Sequence, residues 1–263
     1  MINADNSDRI ALVTGAGTGV GACIALSLAK QGWNVALAGR RIERLAEIEN
    51  SIRDGGGSAH CFACDVSNPE SVDALHRELT RRLGVVSVLV NGAGTFGEVV
   101  ALAQSDPKQW IDTMQINLFG PYLVSRAFVG GMIKAKWGRI INISSAAAAH
   151  PPGGHSSAYQ LSKVSVNWLT RQFAAELAGT GVTVNAMHPG EVKTEMWAWI
   201  KSEALRLGNQ GMLNWAKMVE ETGGDPPQKA ADLVMDLIDQ KSDSITGQFL
   251  WIKDGIKKPM ATW

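Results

Sequence analysis

Tyr159 and Lys163 are the two side chains in this sequence whose types and spacing best suit acid–base chemistry. A separation of four residues places both on one face of a helix, one turn apart. A phenol ordinarily loses its proton near pH ~10, and a neighbouring ammonium favours the phenolate and so lowers the pKa. A phenol tuned in this way can give or take a proton near neutral pH. The same spacing also arises by chance in ordinary helices, so its weight depends on the surrounding sequence.

The segment in front of this pair begins at two hydroxyl side chains, Ser144 and Ser145. They follow the apolar run 140–143, which is typical of a buried strand. A helical pattern then starts at Tyr159 and continues to about residue 178. The sequence therefore predicts a strand that ends in a serine pair, then a loop, then the helix that carries Tyr159 and Lys163.

A glycine-rich turn near the N-terminus indicates where a nucleotide would bind. The apolar run 10–13 is followed at once by Thr14-Gly-Ala-Gly-Thr-Gly-Val-Gly21, and a helical pattern comes next. Glycines allow a tight turn and let a pyrophosphate approach the backbone, while the helix N-terminus supplies N–H donors and positive potential. This order predicts dinucleotide binding; an ordinary strand-to-helix connection is the alternative.

The end of the second predicted strand, 34–38, bears on which dinucleotide is bound. An acidic residue here would accept hydrogen bonds from the adenosine ribose hydroxyls, but the strand ends in Gly39, Arg40 and Arg41. Two guanidinium groups could hold a 2′-phosphate instead. The sequence predicts that NADP(H) is preferred to NAD(H); alternatively, both arginines belong to the solvated start of a helix.

The alternation of short apolar runs with helical patterns predicts one α/β domain that spans 1–263. Its fold would be a doubly wound parallel sheet with helices on both faces. Seven strands are predicted, at 10–13, 34–38, 59–63, 85–90, 138–143, 182–187 and 249–252. A long helix from 106 to about 132 carries Gly120 and Pro121 in its middle, which argues against an unbroken helix.

Composition argues against several classes of partner. Lysine plus arginine and aspartate plus glutamate both number 25, so nothing predicts binding to nucleic acid or to an anionic membrane. No apolar run could span a bilayer, and the polar segment 1–9 lacks a signal-peptide core. Three cysteines do not suggest a disulfide framework, so we expect a cytoplasmic protein. Cys61 and Cys64 would face opposite sides of a strand, so no metal site is predicted.

Together these motifs resemble those of the short-chain dehydrogenase/reductase family, over nearly the whole chain. The family's Thr-Gly-x-x-x-Gly-x-Gly corresponds to 14–21, and its Tyr-x-x-x-Lys corresponds to 159–163. Its Asn-Asn-Ala-Gly corresponds to 91–94 with a departure at Gly92, and its Pro-Gly with a following valine and threonine corresponds to 189–194. The resemblance implies a Rossmann-type fold and an NAD(P)-dependent oxidoreductase that transfers a hydride between a nicotinamide cofactor and a carbonyl or secondary alcohol.

The resemblance also implies roles for individual side chains. Tyr159 would exchange the proton of the substrate, and Lys163 would lower the pKa of Tyr159 and bind the nicotinamide ribose. Ser145, or alternatively Ser144, would hold the carbonyl, and Asn117 would hold a water on a proton path to Lys163. The implied cofactor-binding residues are Gly15, Thr18, Gly19, Val20, Arg40, Arg41, Asp65, Val66, Asn91, Ala93, Gly94, Tyr159, Lys163, Pro189, Gly190, Val192 and Thr194.

The segment 191–224 departs from the alternation of strand and helix. We expect an irregular segment with helices that forms a lid at the carboxyl end of the sheet, where such folds bind ligands. Large apolar side chains are concentrated there, including Met196, Trp197, Trp199 and Trp215. Because tryptophan supplies a large apolar surface, we predict an apolar, cyclic or aromatic ketone or aldehyde as substrate. Alternatively, these side chains only pack the lid onto the body or onto another subunit.

Two other functional interpretations stay open. A protein of this fold could bind a dinucleotide without turnover, as a sensor or an assembly subunit, and within the enzyme class the substrate could be a 3-oxoacyl thioester. The resemblance also implies a homo-oligomer, a tetramer or a dimer. In support, we expect the two long predicted helices to carry more apolar side chains than one sheet face would bury, namely Phe119, Val124, Phe128, Val166 and Leu169; alternatively, all five belong to the ordinary core.

Overall fold

A computed structural model, which describes residues 9–151, 154–239 and 243–257, contains a seven-stranded sheet. Its strands lie in the order β3-β2-β1-β4-β5-β6-β7, and every neighbouring pair is parallel. The predicted doubly wound α/β fold is confirmed, and most of the polar segment 1–9 falls outside the described residues. The strands are β1 (Ile10–Thr14), β2 (Asn34–Gly39), β3 (Ser58–Ala63), β4 (Val86–Asn91), β5 (Gly138–Ile143), β6 (Val182–His188) and β7 (Phe249–Trp251).

Helices cover both faces of this sheet. They are α1 (Gly19–Lys30), α2 (Ile42–Asp54), α3 (Pro69–Arg82), α4 (Pro107–Met114), α5 (Gly120–Ala135), α6 (Ser157–Glu176), α7 (Glu195–Leu207), α8 (Gln210–Thr222) and α9 (Gln228–Ile238). Side chains of β1 alternate between the faces, because Val13 packs with α1, α2 and α9 while Leu12 packs with α3 and α5. Cys61 packs against the first of these clusters and Cys64 lies in the second, as strand alternation predicts. None of the described helices is long and apolar enough to cross a membrane.

The long helix predicted from 106 to 132 is three consecutive helical segments, in which a π-helical turn (Gln115–Phe119) joins α4 to α5. Pro121 lies four residues after Asn117 and has no N–H, so the carbonyl of Asn117 lacks its α-helical donor. Gly120 allows a close approach to the loop after β3, since a Cβ there would lie 2.8 Å from Cγ2 of Val66. The predicted interruption is therefore a widened turn, and it buries Asn117.

The segment 191–224 is more regular than expected, because it is a pair of helices, α7 and α8. The side chain of Thr194 accepts a hydrogen bond from the backbone N–H of Trp197 at 3.3 Å and so caps α7. Gly208 ends α7 in a left-handed conformation with φ of 62°. Lys201 then joins the two helices through an ion pair with Glu220 at 2.7 Å. The expectation of helices is confirmed, whereas that of an irregular segment is wrong.

The apolar side chains expected to be surplus are mostly ordinary core. Val124, Phe128 and Val166 are buried against the sheet, because they lie on the inner faces of α5 and α6. Phe119 alone of the five is more than half exposed. Other large apolar side chains that face solvent on these helices are Tyr122, Leu161 and Trp168.

Candidate active site

The turns that follow β1 and β4 pack directly against each other. Gly15 has φ of 68°, and a Cβ on it would lie 2.8 Å from Cα of Ala93, so the approach requires glycine. The hydroxyl of Thr14 accepts hydrogen bonds from the backbone N–H groups of Gly92 at 3.1 Å and Ala93 at 3.2 Å. Helix α1 begins at Gly19, immediately after this turn, so its N-terminal N–H groups border the site.

Asn91 lies behind these turns, where it is buried. Its Nδ2 donates to Oγ of Ser125 at 3.1 Å and to Oδ1 of Asn142 at 2.8 Å. Asn142 in turn donates to Oγ1 of Thr170 at 2.9 Å. This chain of buried hydrogen bonds joins β4 and β5 to α5 and α6, so the sheet is held here although glycine stands at position 92. Asn91 does not line the cavity, and its side chain supports the turn from behind, whereas its expected contact with a cofactor stays a prediction.

One cavity of about 1040 Å³ runs along the carboxyl ends of the strands. Among the residues predicted from the sequence, only Asn91 and Asn117 do not line it. The predicted residues in its wall are Gly15, Thr18, Gly19, Val20, Arg40, Arg41, Asp65, Val66, Ala93, Gly94, Ser145, Tyr159, Lys163, Pro189, Gly190, Val192, Thr194, Met196, Trp197, Trp199 and Trp215. The same cavity is therefore lined by the glycine turn, the catalytic candidates Ser145, Tyr159 and Lys163, and the three tryptophans of the lid.

The structure distinguishes the two candidate serines. The side chain of Ser145 lies close enough to the hydroxyl of Tyr159 to lower its pKa through hydrogen bonding. The hydroxyl of Ser144 is buried and donates instead to the backbone carbonyl of Lys163 at 3.4 Å. Phe96 stacks on the ring of Tyr159 with 4.5 Å between centroids and so fixes the plane of the phenol. The geometry favours Ser145 as the serine that shares a substrate oxygen with Tyr159.

The electrostatics of the pair differ from the sequence expectation. Burial raises the pKa of Tyr159, the hydrogen bond with Ser145 acts in the opposite direction, and the charge of Glu191 raises the pKa further. Burial also lowers the pKa of Lys163 to about 8, and its ammonium donates to the carbonyl of Ile143 at 2.9 Å. Lys163 Nζ lies 5.6 Å from the centroid of the Tyr159 ring. The Tyr159 pKa is therefore raised rather than lowered as expected, because burial is its largest influence and the Lys163 ammonium is not among the groups that shift it, and the phenol is protonated at neutral pH.

Asn117 uses its whole side chain to hold the loop after β4. Its Oδ1 accepts from the backbone N–H of Thr95 at 2.9 Å. Its Nδ2 donates to the carbonyl of Thr95 at 2.8 Å and to Oγ of Ser162 at 3.1 Å. The amide side chain is thus fully used by protein groups, whereas the backbone carbonyl of Asn117 lacks its α-helical donor, and the expected role of Asn117 in holding a water stays a prediction.

The end of the cavity near β2 is lined by positive charge that is partly balanced by carboxylates. Arg41 donates to Oγ1 of Thr18 at 3.3 Å and to Oε2 of Glu195 at 3.0 Å. Both charged side chains of that ion pair are about half exposed, so solvent weakens it. Arg40 lies close enough to Asp65 to favour its carboxylate. Because Glu195 begins α7, far along the chain, no local pattern in the sequence could indicate this ion pair.

The donor set at this end fits a dinucleotide with a 2′-phosphate. The glycine turn and the first turn of α1 present backbone N–H groups, which suit a pyrophosphate. Arg40 and Arg41 stand where β2 ends, and no carboxylate follows β2 directly. These residues could hold NADP(H).

Sequence motifs missed three side chains at the other end of the cavity. Phe96, which contacts Tyr159, lies two residues beyond the motif that ends at Gly94. His188 and Glu191 flank the Pro-Gly pair that follows β6, and both line the cavity. All three residues lie next to recognised motifs, and that position was the only signal in the sequence. Their residue types do not belong to those motifs, so motif matching passed over them.

Comparisons with known proteins give consistent matches. The sequence model of the short chain dehydrogenase family matches residues 9–204. A "putative ketoacyl reductase" from Streptomyces coelicolor is 33% identical, with 96% of this chain and 98% of the relative covered. A "3-oxoacyl-[acyl-carrier-protein] reductase FabG" from Vibrio cholerae is 32% identical, with 94% and 97% covered. A crystal structure of a variant actinorhodin polyketide ketoreductase with NADPH superposes with a TM-score of 0.86 at 32% identity, with 94% and 97% covered.

Proposed function

The chain belongs to the short-chain dehydrogenase family and is an oxidoreductase, and we propose that it uses NADP(H) to reduce the carbonyl group of a mainly apolar compound. The observation that carries the proposal is that Ser145 and Tyr159 lie next to each other in one cavity, which Lys163 and the glycine turn also line. No side chain of the expected catalytic set is missing, which argues against a sensor without turnover.

The choice of NADP(H) rests on Arg40 and Arg41. Both line the cavity where β2 ends, and a bidentate guanidinium suits a phosphate dianion. The solved structures similar to this chain include relatives with bound NADPH or NADP. We expect the catalytic efficiency with NADPH to exceed that with NADH, and Arg40→Asp to reverse the preference. A wild-type preference for NADH would contradict this assignment.

The side chains around the substrate divide the work of reduction. NADPH, when bound, supplies the hydride. The hydroxyl of Ser145 donates to the carbonyl oxygen and polarises it, and Tyr159 gives its phenolic proton to the same oxygen as negative charge develops. Its raised pKa keeps this proton in place at neutral pH, so the phenol is in the protonated form that reduction requires. Lys163 binds the ribose hydroxyls of the cofactor. A water bound to the backbone carbonyl of Asn117 then returns a proton to Tyr159 along a path through Lys163.

The substrate class follows from the lid. Trp197, Trp199 and Trp215 line the same cavity as the glycine turn, together with Met196, Met212 and Met218. These side chains offer a wide apolar surface to a ring system. We expect cyclic or aromatic ketones to be reduced more efficiently than small polar acids or sugars, and Trp197→Ala and Trp215→Ala to weaken that preference. Unchanged preferences in both variants would show that the tryptophans only pack the lid.

A 3-oxoacyl thioester is the second candidate substrate. It is favoured by the ketoacyl reductases among the relatives, which match this chain along almost its full length. A comparison of an acetoacetyl thioester with cyclic ketones, at saturating NADPH, separates the two. A higher kcat/KM for the thioester would assign the protein to acyl-chain reduction.

We also propose that the protein is a cytoplasmic homo-oligomer. Phe119, Tyr122, Leu161 and Trp168 expose large apolar surface along the π-helical turn, α5 and α6. Exposed apolar patches of this kind mark protein contacts, and a second copy of the chain is the partner that the family resemblance implies. The cytoplasmic location rests on the free state of Cys23, Cys61 and Cys64, which suits a reducing compartment.

A further inference from the structure

A carboxylate and an imidazole that no catalytic role uses lie together in the cavity wall. They belong to Glu191 and His188, on either side of the Pro-Gly turn after β6. The charge of Glu191 acts on the hydroxyl of Tyr159, so this carboxylate lies near the proton donor. A substrate whose carbonyl reaches Tyr159 would therefore occupy the cavity that both side chains line.

Glu191 is held in one position. Its Oε2 accepts a hydrogen bond from the indole N–H of Trp215 at 2.9 Å. Its backbone is fixed by Asp225, whose Oδ2 accepts from the N–H of Glu191 at 3.1 Å and whose own N–H donates to the Glu191 carbonyl at 2.9 Å. Within the described part of the chain, Glu191 has no ion pair with a lysine or arginine. One carboxylate oxygen, Oε1, is thus left to face the cavity with its charge unbalanced by a fixed cation.

His188 is buried and yet has unused hydrogen-bonding capacity. It is 4% exposed, and neither ring nitrogen has a hydrogen-bond partner among the described residues. Trp251 packs against the imidazole edge-to-face, with centroids 4.8 Å apart, and fixes its orientation. An imidazole offers one donor and one acceptor when neutral, and leaving both unmet in the interior is costly. A buried polar ring in a cavity wall points to a ligand group that bonds to one of its nitrogens.

The two groups are spaced to share one oxygen atom. Nε2 of His188 lies 3.7 Å from Oε1 of Glu191, which is too far for a direct hydrogen bond. Nε2 is shielded from solvent in this structure, so a small shift of the imidazole on substrate binding would let one oxygen lie at about 2.8 Å from each group and bond to both. A hydroxyl fits because it donates its proton to the carboxylate and accepts from an imidazole N–H.

We propose that His188 and Glu191 form a subsite for a hydroxyl group carried by an otherwise apolar carbonyl substrate. The inference rests on the proposed function and narrows it to hydroxylated ring ketones. The same carboxylate excludes substrates that carry their own carboxylate at this position, because two like charges would face each other in a partly desolvated cavity. Glu191 and His188 are thus specificity-determining residues, whereas Tyr159 and Ser145 act on the reacting carbonyl.

The test uses α-tetralone and its ring-hydroxylated and ring-carboxylated isomers as a matched series. We measure kcat/KM with saturating NADPH, and the dissociation constant of each compound from the NADP⁺-bound protein by calorimetry. For the wild type, we expect the best hydroxy isomer to exceed the parent ketone by about 10-fold or more, and the corresponding carboxy isomer to fall below it by a similar factor.

Two variants separate the contributions of the two side chains. Glu191→Gln keeps the shape of the side chain and the acceptor for Trp215 but removes the charge. We therefore expect the kcat/KM values of the hydroxy and carboxy isomers to come within about 3-fold of the value for the parent ketone. His188→Phe should lose the hydroxyl preference and keep the exclusion of carboxylates. Glu221→Gln is the control, since it makes the same charge change on an exposed turn of α8, away from the cavity wall.

The outcomes decide the subsite and the proposed function separately. Wild-type protein with no hydroxyl preference in turnover or in binding, or Glu191→Gln behaving like Glu221→Gln, would overturn the subsite. If no tetralone is reduced but the hydroxyl preference in binding is present and is lost in Glu191→Gln, the subsite stands and the proposed reductase activity on such ketones fails. If the parent ketone is reduced but neither variant changes the preferences among the tetralones, the proposed reductase activity stands and the subsite fails.

Discussion

Replacing Lys163 with methionine should stabilise the fold while it removes activity. Lys163 is 6% exposed, and burial lowers the pKa of its ammonium from 10.5 to about 8. The unfolded chain keeps the ordinary value, so the folded state holds the proton less tightly than the unfolded state does. Carrying the charge into the interior therefore costs stability at neutral pH, and the cost falls as pH rises from about 8 towards 10.5.

The size of this effect follows from the two pKa values. The difference between 10.5 and about 8 corresponds to about 3 kcal/mol at pH 7 and about 2 kcal/mol at pH 9. Methionine also loses the hydrogen bond to the carbonyl of Ile143, and an unpaired buried carbonyl costs about 1 kcal/mol or slightly more. We expect Lys163→Met to gain about 2 kcal/mol at pH 7 and under about 1 kcal/mol at pH 9.

Urea unfolding of the cofactor-free protein, followed by tryptophan fluorescence at pH 7 and pH 9, measures this difference. Lys217→Met is the control, because Lys217 is 73% exposed and its replacement should show no such pH dependence. A Lys163→Met protein less stable than the wild type at pH 7, or an advantage that does not shrink by pH 9, would refute the reasoning.

Three further predictions concern the cofactor, the proton and the assembly. Glu195→Gln should free Arg41 for the 2′-phosphate and tighten NADPH binding by about 3- to 10-fold in a fluorescence titration; an equal change for NADH would contradict this. Because burial raises the pKa of Tyr159, the rate of alcohol oxidation should rise by up to about tenfold per pH unit between pH 7 and pH 9, whereas the rate of carbonyl reduction should already be at its maximum at neutral pH. An oxidation rate that does not change with pH would contradict this. Trp168→Glu should shift sedimentation towards smaller species, and a wild-type monomer at micromolar concentration would rule out the oligomer.

The sequence predicted the sheet closely because each strand is a short apolar run bounded by glycine or polar residues. All seven described strands lie within one residue of their predicted bounds. The sequence indicated the π-helical turn around Asn117 only indirectly, because the helix-breaking residues Gly120 and Pro121 lie inside a helical pattern. The lid helices were under-predicted, although the capping residues Thr194 and Asn209 were present as signals.

The site was predictable where it depends on local motifs and not where distant elements meet. The four-residue spacing placed Tyr159 and Lys163 in one cavity, but it could not reveal how deeply they are buried, and burial reverses the expected direction of the Tyr159 pKa. Ser145 was distinguished from Ser144 only by the path of the loop after β5. The partner of Arg41 is Glu195, 154 residues along the chain, and such a pair exists only in three dimensions.

The central claim is that Tyr159 donates the proton in NADPH-dependent carbonyl reduction, and Tyr159→Phe tests it most directly. The variant keeps the ring that stacks on Phe96 and removes only the hydroxyl that bonds to Ser145. Tyr122→Phe is the matched control, because Tyr122 is the other tyrosine and is exposed on α5. We expect kcat for a reducible ketone to fall by roughly 10²- to 10⁴-fold in Tyr159→Phe, with NADPH affinity unchanged and Tyr122→Phe fully active. A Tyr159→Phe protein that retains most of its turnover would contradict the account.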